Sequence, residues 1–169
     1  MSDEVRIWTS VGSAGTLSAA DLAKVSLRNA VISLGVGIAP PGQEDPSIII
    51  PDVTAVVRYN VTPVDGLFLD VSFHYGLQLT YLGKVRARLV QFDQSSGTET
   101  DMLDFDSTGF PPATTFVTNA VTTTNESTVM DFVNCGYYVE ATLSASAIVA
   151  GNPAEIALVK VFASPDFHG

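Results

Sequence analysis

The chain has 169 residues, of which 18 are acidic and 8 are basic, and its formal net charge is −10. Such an acidic chain does not suit nucleic acid or an anionic membrane, because phosphate groups are bound by clustered lysine and arginine side chains. The single cysteine, Cys135, excludes an internal disulfide framework. No leader peptide or membrane-length apolar run is visible, so we expect one domain over residues 1–169, in the cytoplasm or in a particle assembled there.

The first third of the chain predicts strands and one short helix. Residues 5–11 alternate between apolar and polar, which is the pattern of a strand. Ser18 and Asp21 have the spacing of a capping box, so we expect a helix near residues 18–25. Alternation returns after Val25, and residues 39–46 form a loop because proline and glycine block regular structure. A well-patterned strand follows over residues 53–61.

The most regular stretch of the sequence lies between residues 65 and 92. From Leu67 to Tyr81 every odd residue is apolar or aromatic, which predicts one long strand with a buried face. A tight turn at Leu82 and Gly83 follows, and the next segment alternates again. We interpret the two segments as the core hairpin of an antiparallel sheet.

The second half of the chain carries further strand patterns. Residues 93–112 form a long acidic irregular region with a brief strand inside it, and residues 114–124 suit an edge strand. Strands are also expected at residues 129–133 and 137–149, and a last one near residues 156–163 is apolar on both faces and therefore central. About nine or ten strands with two long loops predict an all-β fold, an antiparallel β-sandwich with a jelly-roll or related Greek-key topology.

The sequence predicts no catalytic residue and no cofactor site, and no group of residues has the spacing of a known metal site. Asp70, Ser72 and His74 have the residue types of a catalytic triad, but alternate residues of one strand stand about 6.5–7 Å apart, too far for direct proton transfer. No cluster has zinc-site spacing, and no glycine-rich phosphate loop is present. We therefore expect no cofactor and no enzymatic activity.

Two charged groups are candidate sites, each with a plain alternative. The acidic side chains of the second long loop are competent for Ca²⁺, which prefers oxygen ligands, but their spacing is not that of an EF-hand, and the plain alternative is a solvated acidic loop. They are Asp93, Glu99, Asp101, Asp104 and Asp106. Lys84, Arg86 and Arg88 share one strand face. They either form an interface with an acidic partner or neighbouring copy, or pair across strands with Asp70 or Glu140.

Two functions follow from these patterns. Only 15% of the residues are charged, against about 25% in a typical domain, which favours association between copies. The first hypothesis is a non-enzymatic, self-associating subunit of a shell, coat, filament or scaffold. The alternative is a carbohydrate- or peptide-binding module that uses the loops at 39–46 and 93–112, with exposed aromatics such as Trp8, Phe68 and Tyr138 as a stacking surface.

Overall fold

The computed structural model describes residues 6–34, 52–62, 73–122, 134–145 and 153–165. The elements, in chain order, are β1 (Arg6–Val11), α1 (Ala19–Leu22), β2 (Val25–Arg28), β3 (Val31–Leu34), β4 (Val53–Val61), β5 (Phe73–Leu82), β6 (Lys84–Asp93), β7 (Glu99–Asp106), β8 (Val117–Thr122), β9 (Cys135–Ala145) and β10 (Ala154–Pro165). Short 3₁₀ turns at Gly12–Ala14 and Ser107–Gly109 follow β1 and β7.

The strands form two antiparallel sheets that pack against each other, so the predicted all-β sandwich is confirmed. The first sheet has the order β2-β3-β10-β5-β8, and β1 pairs with the far half of β10. The second sheet has the order β4-β9-β6-β7. The predicted central position of the last strand is also confirmed, because β10 lies between β5 on one side and β1 and β3 on the other.

The core lies between the sheets and follows from the alternation of the strands. Successive side chains of a strand point to opposite faces, so each strand contributes every second residue to the interior. In β5 and β6 these inward residues are fully or almost fully buried. They are Leu77, Leu79, Tyr81, Val85, Ala87 and Leu89. Among the described residues, every buried side chain is hydrophobic, with the buried tyrosines counted as hydrophobic.

The predicted core hairpin is wrong, although its two strands and its turn exist. β5 pairs with β10 and β8 in the first sheet, whereas β6 pairs with β9 and β7 in the second. Gly83 turns the chain from one sheet to the other with φ at 78°, a conformation that favours glycine. A Cβ atom there would lie 2.4 Å from the Pro153 carbonyl oxygen. Apolar and polar residues alternate in the same way in a hairpin and in two strands that a turn places in different sheets. The sequence pattern therefore did not distinguish these two arrangements.

Other local predictions have mixed outcomes. The short helix is present, and the Ser18 hydroxyl caps it by accepting from the Asp21 amide at 3.2 Å. The region 93–112 is not mainly irregular, because Glu99–Asp106 forms a full strand against β6. The loop at 39–46 and the strand predicted at 129–133 lie outside the described residues. Within the described part of the chain, no helix has the length and apolar character needed to cross a membrane.

Candidate ligand-binding cleft

A cleft opens at one end of the sandwich, where the β7–β8 connection passes from the second sheet to the first. We define the β7–β8 connection as residues 107–116. The cleft has a volume of about 1160 Å³ and is lined by most of that connection, by the β5–β6 turn, and by the neighbouring ends of β9 and β10. Asp52, just before β4, completes the lining. The site therefore depends on chain segments that are far apart in sequence.

A row of three aromatic rings supports the cleft wall. Phe105 is fully buried and meets the edge of Tyr81, with ring centroids 5.4 Å apart and an angle of 81°. Phe110 stacks on Phe105, with centroids 5.3 Å apart and an angle of 23°. The Tyr81 hydroxyl accepts a hydrogen bond of 3.0 Å from Asn119 Nδ2. Since Tyr81 and Phe110 both line the cleft, the row joins its wall to the core.

Hydrogen bonds fix the start of the β7–β8 connection. The Ser107 hydroxyl accepts from the Val85 amide at 3.0 Å, and the Asp106 carboxylate accepts from the amide and hydroxyl of Thr108 at 3.0 and 2.7 Å. These bonds, first the one from the Thr108 amide, lower the pKa of Asp106. Beyond Phe110 the pattern changes, because within the described structure residues 111–116 take part in no hydrogen bond. Their backbone and hydroxyl groups are available to a ligand.

The cleft contains one loose ion pair. Lys84 Nζ lies 3.8 Å from Asp52 Oδ2, and the two side chains are 60% and 46% exposed. A pair this exposed contributes little to stability, so both groups stay free to exchange partners. The two charges cancel formally, and the cleft therefore does not select a strongly charged ligand.

The remaining basic residues of the predicted interface have partners within the chain. Arg86 Nη2 lies 2.7 Å from Asp104 Oδ2, and this carboxylate raises the pKa of Arg86. Arg88 contacts Asp101 at 2.8 Å and Glu140 at 3.0 Å. The structure thus places Lys84 at the cleft and pairs the two arginines with acidic residues of neighbouring strands. The pair between Arg88 and Glu140 is one of the two cross-strand pairs that were the alternative to an interface.

The five acidic residues of the predicted calcium loop are engaged in different places. Asp101 and Asp104 face the arginines, and Asp106 holds the start of the connection. Asp93 accepts from the hydroxyl and the amide of Ser95 at 2.7 and 2.8 Å, which lowers its pKa. Glu99 begins β7. Among the described residues, no group of three or more acidic, histidine or cysteine side chains is arranged to hold a metal ion.

Of the other candidates from the sequence, those that the structure describes do not line the cleft. Trp8 is partly buried against the core, and the Arg58 guanidinium covers the Tyr138 ring at 5.1 Å from its centroid. The residues Phe68, Asp70 and Ser72 lie outside the described part of the chain. The backbone of His74 pairs with Ser164 in the first sheet.

The sequence indicated only part of this site. Residues 107–112 belong to the loop region that was predicted to bind a ligand, and the proline pair at 111–112 marks its irregular end. Tyr81 was assigned to a core strand, and no pattern connected it with Ser144 or Pro153, which lie far along the chain. The turn at Gly83 brings these segments together, and that turn was interpreted as part of a hairpin.

Comparison with known proteins gives a likeness among solved structures but none among families or curated proteins. No family model matches the chain, and no curated protein matches it. The chain is similar to the crystal structure of the Stig cyclase Fisc from Fischerella sp. TAU in complex with (3Z)-3-(1-methyl-2-pyrrolidinylidene)-3H-indole. The sequence identity is 14%, the TM-score is 0.44, and the match covers 99% of this chain and 92% of that chain.

This comparison contradicts the first function hypothesis. The similar structure is that of an enzyme with a bound small molecule and gives no support to a shell, coat, filament or scaffold subunit, so that prediction is corrected and the expectation of no enzymatic activity is not retained. The prediction failed because a charge-poor surface and a lack of local motifs do not exclude a site built from distant segments. At a TM-score of 0.44 the likeness does not assign cyclase chemistry to this chain.

Proposed function

We propose that this chain binds an uncharged carbohydrate or peptide in the cleft beneath the β7–β8 connection. The observation that carries the proposal is the cleft itself, with about 1160 Å³ of space beside hydrogen-bonding groups that have no partner in the described structure. Of the two loops predicted to bind, residues 107–112 belong to this cleft.

The composition of the cleft supports such a ligand. Small-molecule sites are concave, mostly apolar, and carry a few placed polar groups, with volumes of about 300–1,000 Å³. This cleft is slightly larger, which suits a ligand of several linked units. Its aromatic side is formed by Tyr81 and Phe110, and its polar side by hydroxyls such as those of Thr114, Thr115 and Ser144. The net charge of −10 repels anionic ligands.

A cleft-filling substitution tests the proposal. The wild-type chain is screened against an array of neutral glycans and a library of random decapeptides, and the affinity of each hit is then measured by calorimetry. We expect Ala113→Trp to weaken binding by about tenfold or more, equivalent to about 1.4 kcal/mol, because Ala113 is exposed in the cleft lining and the indole occupies that space.

The matched control is Ala120→Trp. Ala120 is also exposed and lies on β8, outside the cleft lining, so its indole should leave the affinity unchanged. Two results contradict the proposal: the absence of any hit in both screens, or hits that the Ala113→Trp variant binds as tightly as the wild-type chain.

A further inference from the structure

The Phe110 ring has the geometry of a fixed stacking surface. One of its faces is held against Phe105, and Phe105 is itself fully buried and packed edge-on against Tyr81. Phe110 is only partly buried and lines the cleft. A ring that is already immobilised loses little conformational entropy when a ligand packs on it. The part of Phe110 that lines the cleft can therefore contact a ligand at low entropic cost.

The surroundings of Phe110 are rich in groups that both donate and accept hydrogen bonds. Thr114 and Thr115 line the cleft with hydroxyls that bond to nothing else in the described structure. Lys84 and Asp52, held loosely at 3.8 Å, offer a donor and an acceptor side by side. Vicinal hydroxyl groups of a sugar ring can use such a neighbouring donor and acceptor together.

We infer that the ligand of this cleft is a neutral saccharide, with the C–H face of one sugar ring packed on Phe110 and its hydroxyls bonded to Thr114, Thr115, Asp52 and Lys84. The electron-rich face of an aromatic ring attracts the weakly positive C–H groups of a sugar, and its apolar area is removed from water. This inference rests on the proposed function, and it selects the saccharide over the peptide because an aromatic face bordered by hydroxyls matches both sides of a sugar ring.

The test uses three neutral probes, cellohexaose, laminarihexaose and xylohexaose. Each is titrated into the ¹⁵N-labelled full chain, and binding is followed through the amide shifts of Lys84, Thr114 and Thr115. We expect at least one probe to move these shifts in a saturable way. Phe110→Leu keeps an apolar group against Phe105 but removes the aromatic face, so it should weaken that binding about tenfold or more.

Two further variants separate stacking from general disturbance of the fold. Phe110→Trp restores an aromatic face and should retain binding. Phe116→Leu removes an exposed phenylalanine from the same connection, 43% exposed and outside the cleft lining, and should leave binding unchanged. Melting temperatures of all variants identify any that are unfolded.

The outcomes distinguish this inference from the proposed function. The inference is overturned if none of the three saccharides moves the cleft amides, or if Phe110→Leu binds as tightly as Phe110→Trp. If the saccharide test fails in this way but Ala113→Trp abolishes the binding of a peptide from the screen, the cleft still binds a ligand and only the saccharide assignment is wrong. If neither Ala113→Trp nor Phe110→Leu weakens the binding of any saccharide probe, glycan or peptide, both proposals fail.

Discussion

Two of the described segments that reach between the sheets differ in how they are held. The first, which we call the N-terminal crossing, comprises residues 12–24 and runs from β1 over β4 to β2. The Tyr59 hydroxyl donates to the Gly12 carbonyl at 2.7 Å, and Thr16 and Arg58 exchange two backbone hydrogen bonds of 2.8 and 2.9 Å. The β7–β8 connection has comparable length, yet its second half makes no hydrogen bond within the described structure.

The N-terminal crossing uses its polar groups to support the fold, whereas the β7–β8 connection leaves polar groups open to a ligand. The N-terminal crossing continues with Asp21, which accepts from the Val56 amide at 3.2 Å and from Lys24 at 3.0 Å. Its polar groups are thus used to fasten one side of the sandwich. Within the described residues, the contacts that fasten the β7–β8 connection lie between Ser107 and Phe110, and the polar groups beyond them line a cleft. Binding residues are disproportionately found on loops that a rigid scaffold positions.

The largest expected effect comes from glycine at the N-terminal crossing. A Cβ atom on Gly12 would lie 1.8 Å from the Ile156 carbonyl oxygen, so Gly12→Ala forces the backbone of the crossing away from β10. We expect the free energy of unfolding to fall by about 3 kcal/mol, at the upper end of the cost of overpacking. Urea denaturation measures the loss.

Gly109 in the β7–β8 connection is the matched control for Gly12. A Cβ atom there meets nothing within 4 Å, so Gly109→Ala should change the free energy of unfolding by less than about 1 kcal/mol in either direction. Equal losses of unfolding free energy in the two variants would contradict this prediction, because they would show that the N-terminal crossing and the β7–β8 connection are held equally tightly.

A smaller effect is expected at Asp21. The hydrogen bond from Lys24 and the one from the Val56 amide lower the pKa of this carboxyl below its ordinary value of 3.8. Asp21→Ala removes both bonds and should cost about 1 kcal/mol at neutral pH. Because the pKa is lower in the folded than in the unfolded state, this contribution is complete above pH 3.8 and is lost as the pH falls through the folded-state value.

The measurement is the difference in unfolding free energy between wild type and Asp21→Ala at pH 7, 5 and 3, and we expect it to shrink at the lowest pH. Asp104→Ala is the control, since Asp104 is also paired with a basic residue but is 53% exposed on β7. We expect a smaller loss there. A loss at Asp21 that stays constant with pH would mean that its charged form is not what fastens the crossing.

The smallest effect on stability is expected at Thr114 and Thr115. Both are exposed and neither makes a hydrogen bond in the described structure, so the double substitution to alanine should alter the unfolding free energy by less than about 0.5 kcal/mol. If the cleft is the binding site, the same variant should lose affinity for any ligand found in the screens. A stability loss comparable to that of Asp21→Ala would place these threonines with the scaffold instead.

Local patterns in the sequence were sufficient to predict most of the described strands and the helix, and which side chains of several strands point inward. The capping box at Ser18 and Asp21 marked the start of α1, and the alternation in β4 and β9 identified their inward residues. These predictions succeed because they depend on periodicity and on contacts between residues that are near in sequence. About half of the β7–β8 connection, residues 107–112, also lay within the acidic irregular region that was predicted at residues 93–112.

The tertiary structure alone decided which strands share a sheet and where the site lies. Inward parity is the same whether β5 and β6 pair as a hairpin or face each other across the core, and only the turn at Gly83 separates these arrangements. Likewise, the charge of Asp101 and Asp104 was visible in the sequence, but their arginine partners depend on the register of β6 against β7. The cleft depends on that same long-range pairing, because Tyr81, Phe110 and Ser144 are neighbours only after the two sheets have closed on each other.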